Sequence, residues 1–510
     1  MSRYNFKKLQ NGSDIRGIAL TGVPGELPDL TDVEAPMITR GFLRWLSEKT
    51  GKKTDELKVA VGRDPRSSGQ MIKHGVITGF GPYGTTVYDC GIATTPAMFM
   101  STIFPESDCD GAIMLTASHL PWNRNGFKYF DKDGGLQKED IAQILEYAES
   151  EDGNGGLGAP TYPDAHFFIL GKKSWPSEEF DLMTLYCDHI KKLITDGLGT
   201  TDEPLKGMKI AVDAGNGSGG FFARRVLAPL GADTSSSRYL EPDGTFPNHA
   251  PNPEDKAAMN DISLQVLSTG SDFGLIFDTD VDRAAAVDNR GNPISRNGIV
   301  ALASCLAAED HPGSIVVTDS ITSDHLTDFL ENELGLTHFR YKRGYKNVIN
   351  KAIELNAMGK DCDLAIETSG HAAMKENYFL DDGAYLATMI VIRAAKLHRE
   401  GKTLGSLLKK LVQPKESREI RMKLSDPDMG DTILEDMRKW AADSGYTVAD
   451  PSYEGVRISF DEGWCLLRRS LHDPLMPLNI ESDIEGGTAE ISGKLKDFLK
   501  KYTQLDTTNL

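Results

Sequence analysis

Three aspartates alternate in the run Asp278-Thr279-Asp280-Val281-Asp282, and Arg283 follows directly. Alternate carboxylates on a short loop can turn towards one centre and offer oxygens to a hard divalent cation. Three acidic ligands leave coordination positions for a phosphate oxygen, which is how Mg²⁺ is commonly used. Alone, the run reads equally well as a solvated acidic turn. The preceding Phe273-Gly274-Leu275-Ile276-Phe277 is apolar and strand-like, so the carboxylates should emerge at its C-terminal end. Open α/β sheets bind their ligands there. A second junction of this kind follows Gly111-Ala112-Ile113-Met114-Leu115. It reads Thr116-Ala117-Ser118-His119-Leu120-Pro121, with Asn125-Gly126-Phe127-Lys128 close behind. A serine hydroxyl is a poor nucleophile unless a base, a metal or an orienting group activates it. Once phosphorylated it needs no activation, because it then donates a phosphoryl group. The plainer alternatives are a helix N-cap for Thr-x-Ser and a solvated surface lysine for Lys128.

The two junctions together resemble the phosphohexomutase superfamily, which includes phosphoglucomutases, phosphomannomutases and phosphoglucosamine mutases. The active-site loop of that family reads Thr-Ala-Ser-His-Asn-Pro followed by Asn-Gly-x-Lys, and its metal loop reads Asp-Gly-Asp-x-Asp-Arg. Order and separation agree as well. The resemblance implies a phosphoryl carrier at Ser118 and a Mg²⁺ site made by Ser118, Asp278, Asp280 and Asp282. It further implies catalytic roles for His119 and Lys128, the lysine stabilising charge or moving a proton at the attacking hydroxyl. Arg283 becomes a substrate contact. Arg16, in Gly12-Ser13-Asp14-Ile15-Arg16-Gly17, resembles the family's Ser-Gly-Ile-Arg-Gly loop and would hold phosphoserine oxygens in a fixed fork. Arg63-Asp64-Pro65-Arg66-Ser67-Ser68 also resembles a family motif and is read as structural.

Three more motifs extend the resemblance. Glu367-Thr368-Ser369-Gly370-His371 matches the sugar-binding Glu-x-Ser-Gly-His, giving Glu367, Ser369 and His371 as contacts to sugar hydroxyls. A strand-to-helix turn with a capping Ser is the alternative there. Gly344-Tyr345-Lys346 resembles another ligand loop, with Lys346 as the contact. Arg468-Arg469-Ser470-Leu471-His472-Asp473-Pro474 resembles the phosphate loop Arg-x-Ser-Asn-Thr-x-Pro, so Arg468 and Ser470 would hold the non-reacting phosphate. The chain departs from the pattern at Leu120 and Leu471, each in place of Asn. His472 would make phosphate affinity pH-dependent. Thr279 stands in place of Gly, so a positive φ there would cost energy.

The elements that must position these groups alternate between strand-like and helical, which points to α/β layers with mostly parallel strands. The chain has 510 residues, 39% of them hydrophobic, enough for three or four domains with their own cores. Breaks fall at Gly197–Pro204, at Glu309–Gly313 and near Gln413-Pro414-Lys415, the last after a stretch read as an amphipathic Leu- and Lys-rich helix. Glu419–Met422 reads as an edge strand. The resemblance implies an α/β protein of four domains around a central cleft: three similar mixed-sheet α/β domains and a C-terminal α+β domain. On this reading 1–204 carries the phosphoserine loop, 205–311 the metal loop, 312–413 the sugar loop and 414–510 a phosphate-binding lid.

The net charge of −19 argues against general nucleic-acid or anionic-membrane binding. Six scattered cysteines without a CxxC pair suit reduced thiols. The N-terminus lacks the apolar core of a signal peptide, and no apolar run approaches the roughly 20 residues of a membrane span. A cytoplasmic monomer or homodimer is expected. The resemblance implies a Mg²⁺-dependent enzyme interconverting hexose 1-phosphate and hexose 6-phosphate, of glucose and/or mannose, with hexose 1,6-bisphosphate as intermediate and activator. Phosphoglucosamine mutase and a hexose-bisphosphate synthase are the alternatives within the family. A non-catalytic sugar-phosphate sensor is the alternative outside it.

Overall fold

Three of the apolar runs that precede a motif are strands buried at every position: Gly111–Leu115, Phe273–Phe277 and Cys362–Ile366. The computed structural model describes residues 5–150, 154–157, 177–470 and 473–510. Leu471 and His472 therefore lie outside the described residues. The strands belong to three α/β sheets, and a further antiparallel sheet lies near the C-terminus.

The first sheet is 8-stranded and mixed. Lys58–Arg63 lies parallel to both Thr86–Ile92 and Gly111–Leu115, and Arg124–Asp131 runs back antiparallel beside Gly111–Leu115. This antiparallel step carries the chain from the Ser118 loop to Lys128, which pairs in register with Met114. Asp14–Ile18 adds to the other side of Arg124–Asp131, placing Arg16 opposite Gly126. A Cβ on Gly126 would lie 2.1 Å from the Ile15 carbonyl oxygen and 2.9 Å from that of Thr116, so the motif needs glycine there. Helices Ala35–Thr50, Gly69–Phe80 and Lys138–Ala148 supply Phe42, Leu46, Val76, Phe80, Ile141 and Ile144 to the core against Val59, Ile113 and Phe127.

The second sheet is 4-stranded and mixed, in the order Pro293–Ile294, Ala284–Asp288, Phe273–Phe277, Ile210–Asp213. In the third sheet Thr337–Arg340, Ile315–Thr318 and Cys362–Ile366 are parallel. The C-terminal sheet is 5-stranded and antiparallel, with Glu416–Lys423 at its edge as expected. Helices Met429–Asp443 and Gly487–Leu499 bury Ile433, Met437, Ile491 and Leu495 against Ile458, Leu478 and Ile480. The stretch expected as a Leu- and Lys-rich amphipathic helix before Gln413 forms only the 3₁₀ turn Leu404–Leu408. Gly401, at φ +68, ends the preceding helix, and the Pro414 that follows leaves no room for a new one to extend.

Compactness divides the chain into two units, Met1–Ile299 with Ser369–Ser406, and Val300–Thr368 with Leu407–Leu510. The helix Gly383–Arg399 thus belongs with the first unit. It packs on Leu182–Leu198, where Ile392 closes on Gly197, and on the strand Ala284–Asp288. No helix among the described residues is long and apolar enough to cross a membrane.

Candidate active site

The strand Gly111–Leu115 ends at a loop in which Ser118 sits at φ +47 and is 7% exposed. No helix follows, so Thr-x-Ser is not an N-cap; the Thr116 hydroxyl instead accepts the Ser118 N–H at 2.8 Å. Arg66 holds the loop from inside. Its guanidinium donates to the carbonyl oxygens of Ser118, of Leu120 (2.7 Å), of Pro121 (2.7 Å) and of Arg124 (3.2 Å). Asp64 orients that guanidinium at 3.1 Å, and both side chains are fully buried. Arg16 acts on the same loop: it is paired with Asp14 at 2.7 Å and donates to the Thr116 carbonyl. Leu120 joins this support through its backbone carbonyl, which does not depend on the side chain at that position.

Arg66 was read from sequence as structural, and its geometry makes it the support of Ser118. Arg66→Met should cost about 3 kcal/mol of stability, because Asp64 would remain as an unpaired buried charge. Turnover should fall by about 100-fold as the loop shifts. Lysine should not restore it, since one ammonium cannot satisfy a planar fork's partners. Thermal unfolding and steady-state rates check both effects; a fully active Arg66→Met would remove the assignment.

The second loop leaves the strand Phe273–Phe277 and returns on Ala284–Asp288. Asp278, Asp280 and Asp282 are fully buried, and one oxygen of each lies within 4.8 Å of the others. Three successive carbonyls are clamped from different segments. Ser218 N–H donates to Thr279 O (2.8 Å), Thr95 N–H to Asp280 O (2.9 Å) and Gly383 N–H to Val281 O (3.1 Å). The left-handed residue is Val281, at φ +67, and not Thr279, where the sequence placed the potential strain. For a β-branched residue this costs about 1–3 kcal/mol, and the clamps sustain it.

The two loops meet. Ser118 Oγ donates to Asp278 Oδ2 at 3.1 Å and accepts from Arg283 at 3.3 Å. Arg283 also bonds Asp278 Oδ2 at 3.1 Å. Lys128 pairs with Asp282 and, at 3.1 Å, with Asp280, whose Oδ2 also accepts from the Thr95 hydroxyl at 2.5 Å. Burial and the charge of Asp282 push Asp278 well above the ordinary carboxylate range. Burial acts the same way on Asp282, but Lys128 overcomes it and holds that carboxyl below the range. Oδ1 of Asp280 and Oδ1 of Asp282 are buried and make no hydrogen bond. Buried acceptors without donors are costly, and anionic oxygens so placed fit a hard divalent cation.

His119 is exposed beside Ser118, its Nδ1 3.3 Å from Oγ. His371 pairs through Nδ1 with Asp381 at 2.6 Å and lies 3.8 Å from Asp282. Burial opposes its charge, yet Asp381 and Asp282 push its pKa up to about 9. Arg283 and His371 form a backbone bridge, and Ala284 N–H donates to Gly370 O at 3.3 Å. Ser369 is buried close by in sequence, with its Oγ unbonded. Ser118, His119, Lys128, Arg16, the three aspartates, Arg283, Ser369 and His371 therefore all belong to the first unit.

Glu367, Lys346, Arg468 and Ser470 belong to the second unit. Glu367 is buried and accepts the Gly344 N–H at 2.6 Å, which ties the start of the Glu-x-Ser-Gly-His motif to the Lys346 loop. Lys346 is half-buried in the first turn of the helix Tyr345–Ala357. Asp319 accepts the Thr368 hydroxyl at 2.8 Å, and burial with the charge of Glu367 pushes its pKa to about 7. Arg468 is 6% exposed and 3.7 Å from Glu454; Ser470 Oγ accepts the Asp473 N–H at 3.3 Å. Sequence reasoning missed Thr95, Asp381, Asp319 and Glu454. Thr94-Thr95-Pro96 marks a helix start, but nothing in it says which loop Thr95 meets.

Residues 7–154, 184–291 and 296–414 match the α/β/α domains I, II and III of the phosphoglucomutase/phosphomannomutase family. The chain is 30% identical over 430 residues to the phosphoglucomutase/phosphomannomutase of Thermococcus kodakarensis, covering 84% of this chain and 86% of the relative. It is 28% identical over 494 residues to the phosphoglucomutase of Neisseria gonorrhoeae, with 96% of each covered. A phosphoglucomutase/phosphomannomutase family protein of Burkholderia thailandensis shares the fold, with a TM-score of 0.74, 24% identity and 97% of each chain covered.

Proposed function

Since the chain belongs to the phosphoglucomutase/phosphomannomutase family and is thus an isomerase that moves a phosphoryl group, we propose that it interconverts the 1- and 6-phosphates of glucose and/or mannose through phosphorylated Ser118. The observation that carries this reading is the buried meeting of Ser118 Oγ with Asp278 and Arg283, Asp278 being the carboxylate that has oxygens of Asp280 and Asp282 within 4.8 Å.

Asp278, Asp280 and Asp282, with an oxygen on Ser118, would hold Mg²⁺. Bound there, the cation offsets charge on the transferring phosphoryl group. In the first half-reaction the Ser118 Oγ–P bond breaks as a substrate hydroxyl oxygen takes the phosphoryl group. Arg283 is placed to steady the Oγ that is left, and Lys128 to stabilise charge at the attacking hydroxyl or relay its proton, which ends on Oγ. The product is a hexose 1,6-bisphosphate, which must turn end over end before returning its other phosphate to Ser118. Glu367, Ser369, His371 and Lys346 would bind the sugar in both orientations, while Arg468 and Ser470 hold whichever phosphate is not reacting. His119 orients Oγ, and Arg16 and Arg66 keep its loop in place. In this reading the domains are 1–204, 205–311, 312–413 and 414–510. Six buried free thiols and a phosphosugar substrate suit the cytoplasm.

The test is turnover of glucose, mannose and glucosamine 1-phosphates, with and without the 1,6-bisphosphate. Glucose or mannose 1-phosphate should yield its 6-phosphate, faster with bisphosphate present. Activity confined to glucosamine 1-phosphate, or bisphosphate made from an external donor without isomerisation, would overturn the assignment.

A further inference from the structure

Glu454 lies in the C-terminal sheet's connection between Thr447–Val448 and Val456–Phe460, just before the latter strand. Its Oε2 accepts the hydroxyl of Ser320 and, at 3.1 Å, the backbone N–H of Arg343; its Oε1 lies 3.7 Å from Arg468. A hydroxyl, a backbone N–H and a guanidinium converging on one point form a set of donors suited to phosphate. Arg468 keeps capacity in reserve: it is 6% exposed, its Nε makes no hydrogen bond, and the Nη1 that faces Glu454 at 3.7 Å otherwise makes a long bond to the Arg469 carbonyl at 3.5 Å. The backbone on each side of Glu454 is fixed. Tyr453 packs its ring on Phe339 and Tyr341, with centroids 5.4 and 5.0 Å away. Gly455, at φ +65, lies so close to the next strand that a Cβ would fall 2.1 Å from Leu467 O. Only the three-bond side chain of Glu454 is left to move.

We propose that Ser320, the Arg343 N–H and Arg468 form one anion subsite, which takes the substrate's non-reacting phosphate and is filled by the Glu454 carboxylate until phosphate displaces it. This rests on the mutase reading, in which Arg468 holds that phosphate, and adds two donors and an internal competitor to it. The competitor serves the reaction. A bisphosphate that must leave this subsite in order to turn meets a carboxylate ready to take its place, so release is not opposed by the exposure of three unpaired donors.

The test is calorimetric titration of the full chain with inorganic phosphate alone. Glu454→Gln should bind phosphate about tenfold more tightly than wild type, the effect of losing one charge-assisted competitor. Glu454→Asp keeps the charge but withdraws it by one methylene, and should also bind more tightly. Arg468→Met should erase the gain in the Glu454→Gln background. Unchanged or weaker binding by folded Glu454→Gln would overturn the proposal. So would Glu454→Asp binding as weakly as wild type beside a tight Glu454→Gln, because charge alone would then be acting at a distance. If Glu454→Gln does not fold, Glu454→Asp decides by the same comparison with wild type. Wild type that isomerises hexose phosphates without these gains would sink the subsite alone. Gains in a chain with no isomerase activity would sink the mutase reading alone.

Discussion

Ser118→Ala will lower hexose-phosphate turnover by about four orders of magnitude or more and leave the fold intact. The proposed cycle begins and ends with a phosphoryl group on Oγ, and no other hydroxyl occupies its place between Asp278 and Arg283 among the described residues. Removing a nucleophile leaves only binding and electrostatic contributions to the rate. The loop should survive because its geometry is imposed on backbone atoms, by Arg66 on four carbonyls and by Arg16 on a fifth. Alanine pays the same left-handed cost as serine at φ +47. Intact-mass and peptide analysis of wild type should find phosphate within residues 116–121, absent from the variant. A coupled assay with melting curves completes the check. Comparable turnover in Ser118→Ala would remove the mechanism.

Asp280→Asn should cost about 1,000-fold in turnover at low Mg²⁺, with partial recovery as Mg²⁺ is raised, because a neutral amide is a poor replacement in a hard-cation ligand set. Exhaustive chelation should abolish wild-type activity altogether. Stability in EDTA should fall as well, by about 1 kcal/mol. Burial and the charge of Asp282 oppose the Asp280 carboxylate, yet Lys128, the Thr95 hydroxyl and Arg16 outweigh them and hold it below the ordinary range. A neutral amide gives up the ion pair with Lys128 and leaves that buried ammonium with Asp282 alone. Melting curves in EDTA check the direction. An active, chelator-resistant Asp280→Asn would sink the metal assignment. A higher melting point in EDTA would show that the carboxylates repel one another more strongly than their partners hold them.

The Ser118 and Asp278–Asp282 loops were legible because each follows a strand whose apolar run is short and unbroken. Phe273–Phe277 and Gly111–Leu115 could hardly be anything else, and what emerges from them is crowded with polar side chains. The supports were much less legible. Arg66 acts on backbone carbonyls 52 to 58 positions away, and a carbonyl belongs to every residue, so no residue type betrays the partner. Thr95 meets Asp280 across 185 positions. The strain assigned by comparison of motifs to Thr279 falls on Val281, because the turn's conformation follows from where its carbonyls are clamped and not from which residue is unusual. Glu454 drew no notice, since a glutamate before a strand is commonplace until its three donors are in view.

The segment Ser369–Ser406, which carries the helix Gly383–Arg399, closes a unit whose first segment ends at Ile299. On the ribosome, the first 299 residues therefore emerge before the element that completes them. Ala384, Leu386, Ile390, Val391 and Ala394 on that helix are buried in the finished protein, and the surfaces they cover stay open while the intervening residues are made. At about 5–20 residues per second, the delay over a hundred residues is roughly 5–20 s. Throughout that interval Val281 lacks the Gly383 N–H that helps to hold it in its left-handed conformation, so the aspartate loop cannot be finished co-translationally from its own half of the chain. The nascent chain thus passes through a stage with its serine loop formed, its acidic loop loose and apolar surface exposed, the kind of intermediate that a general chaperone binds.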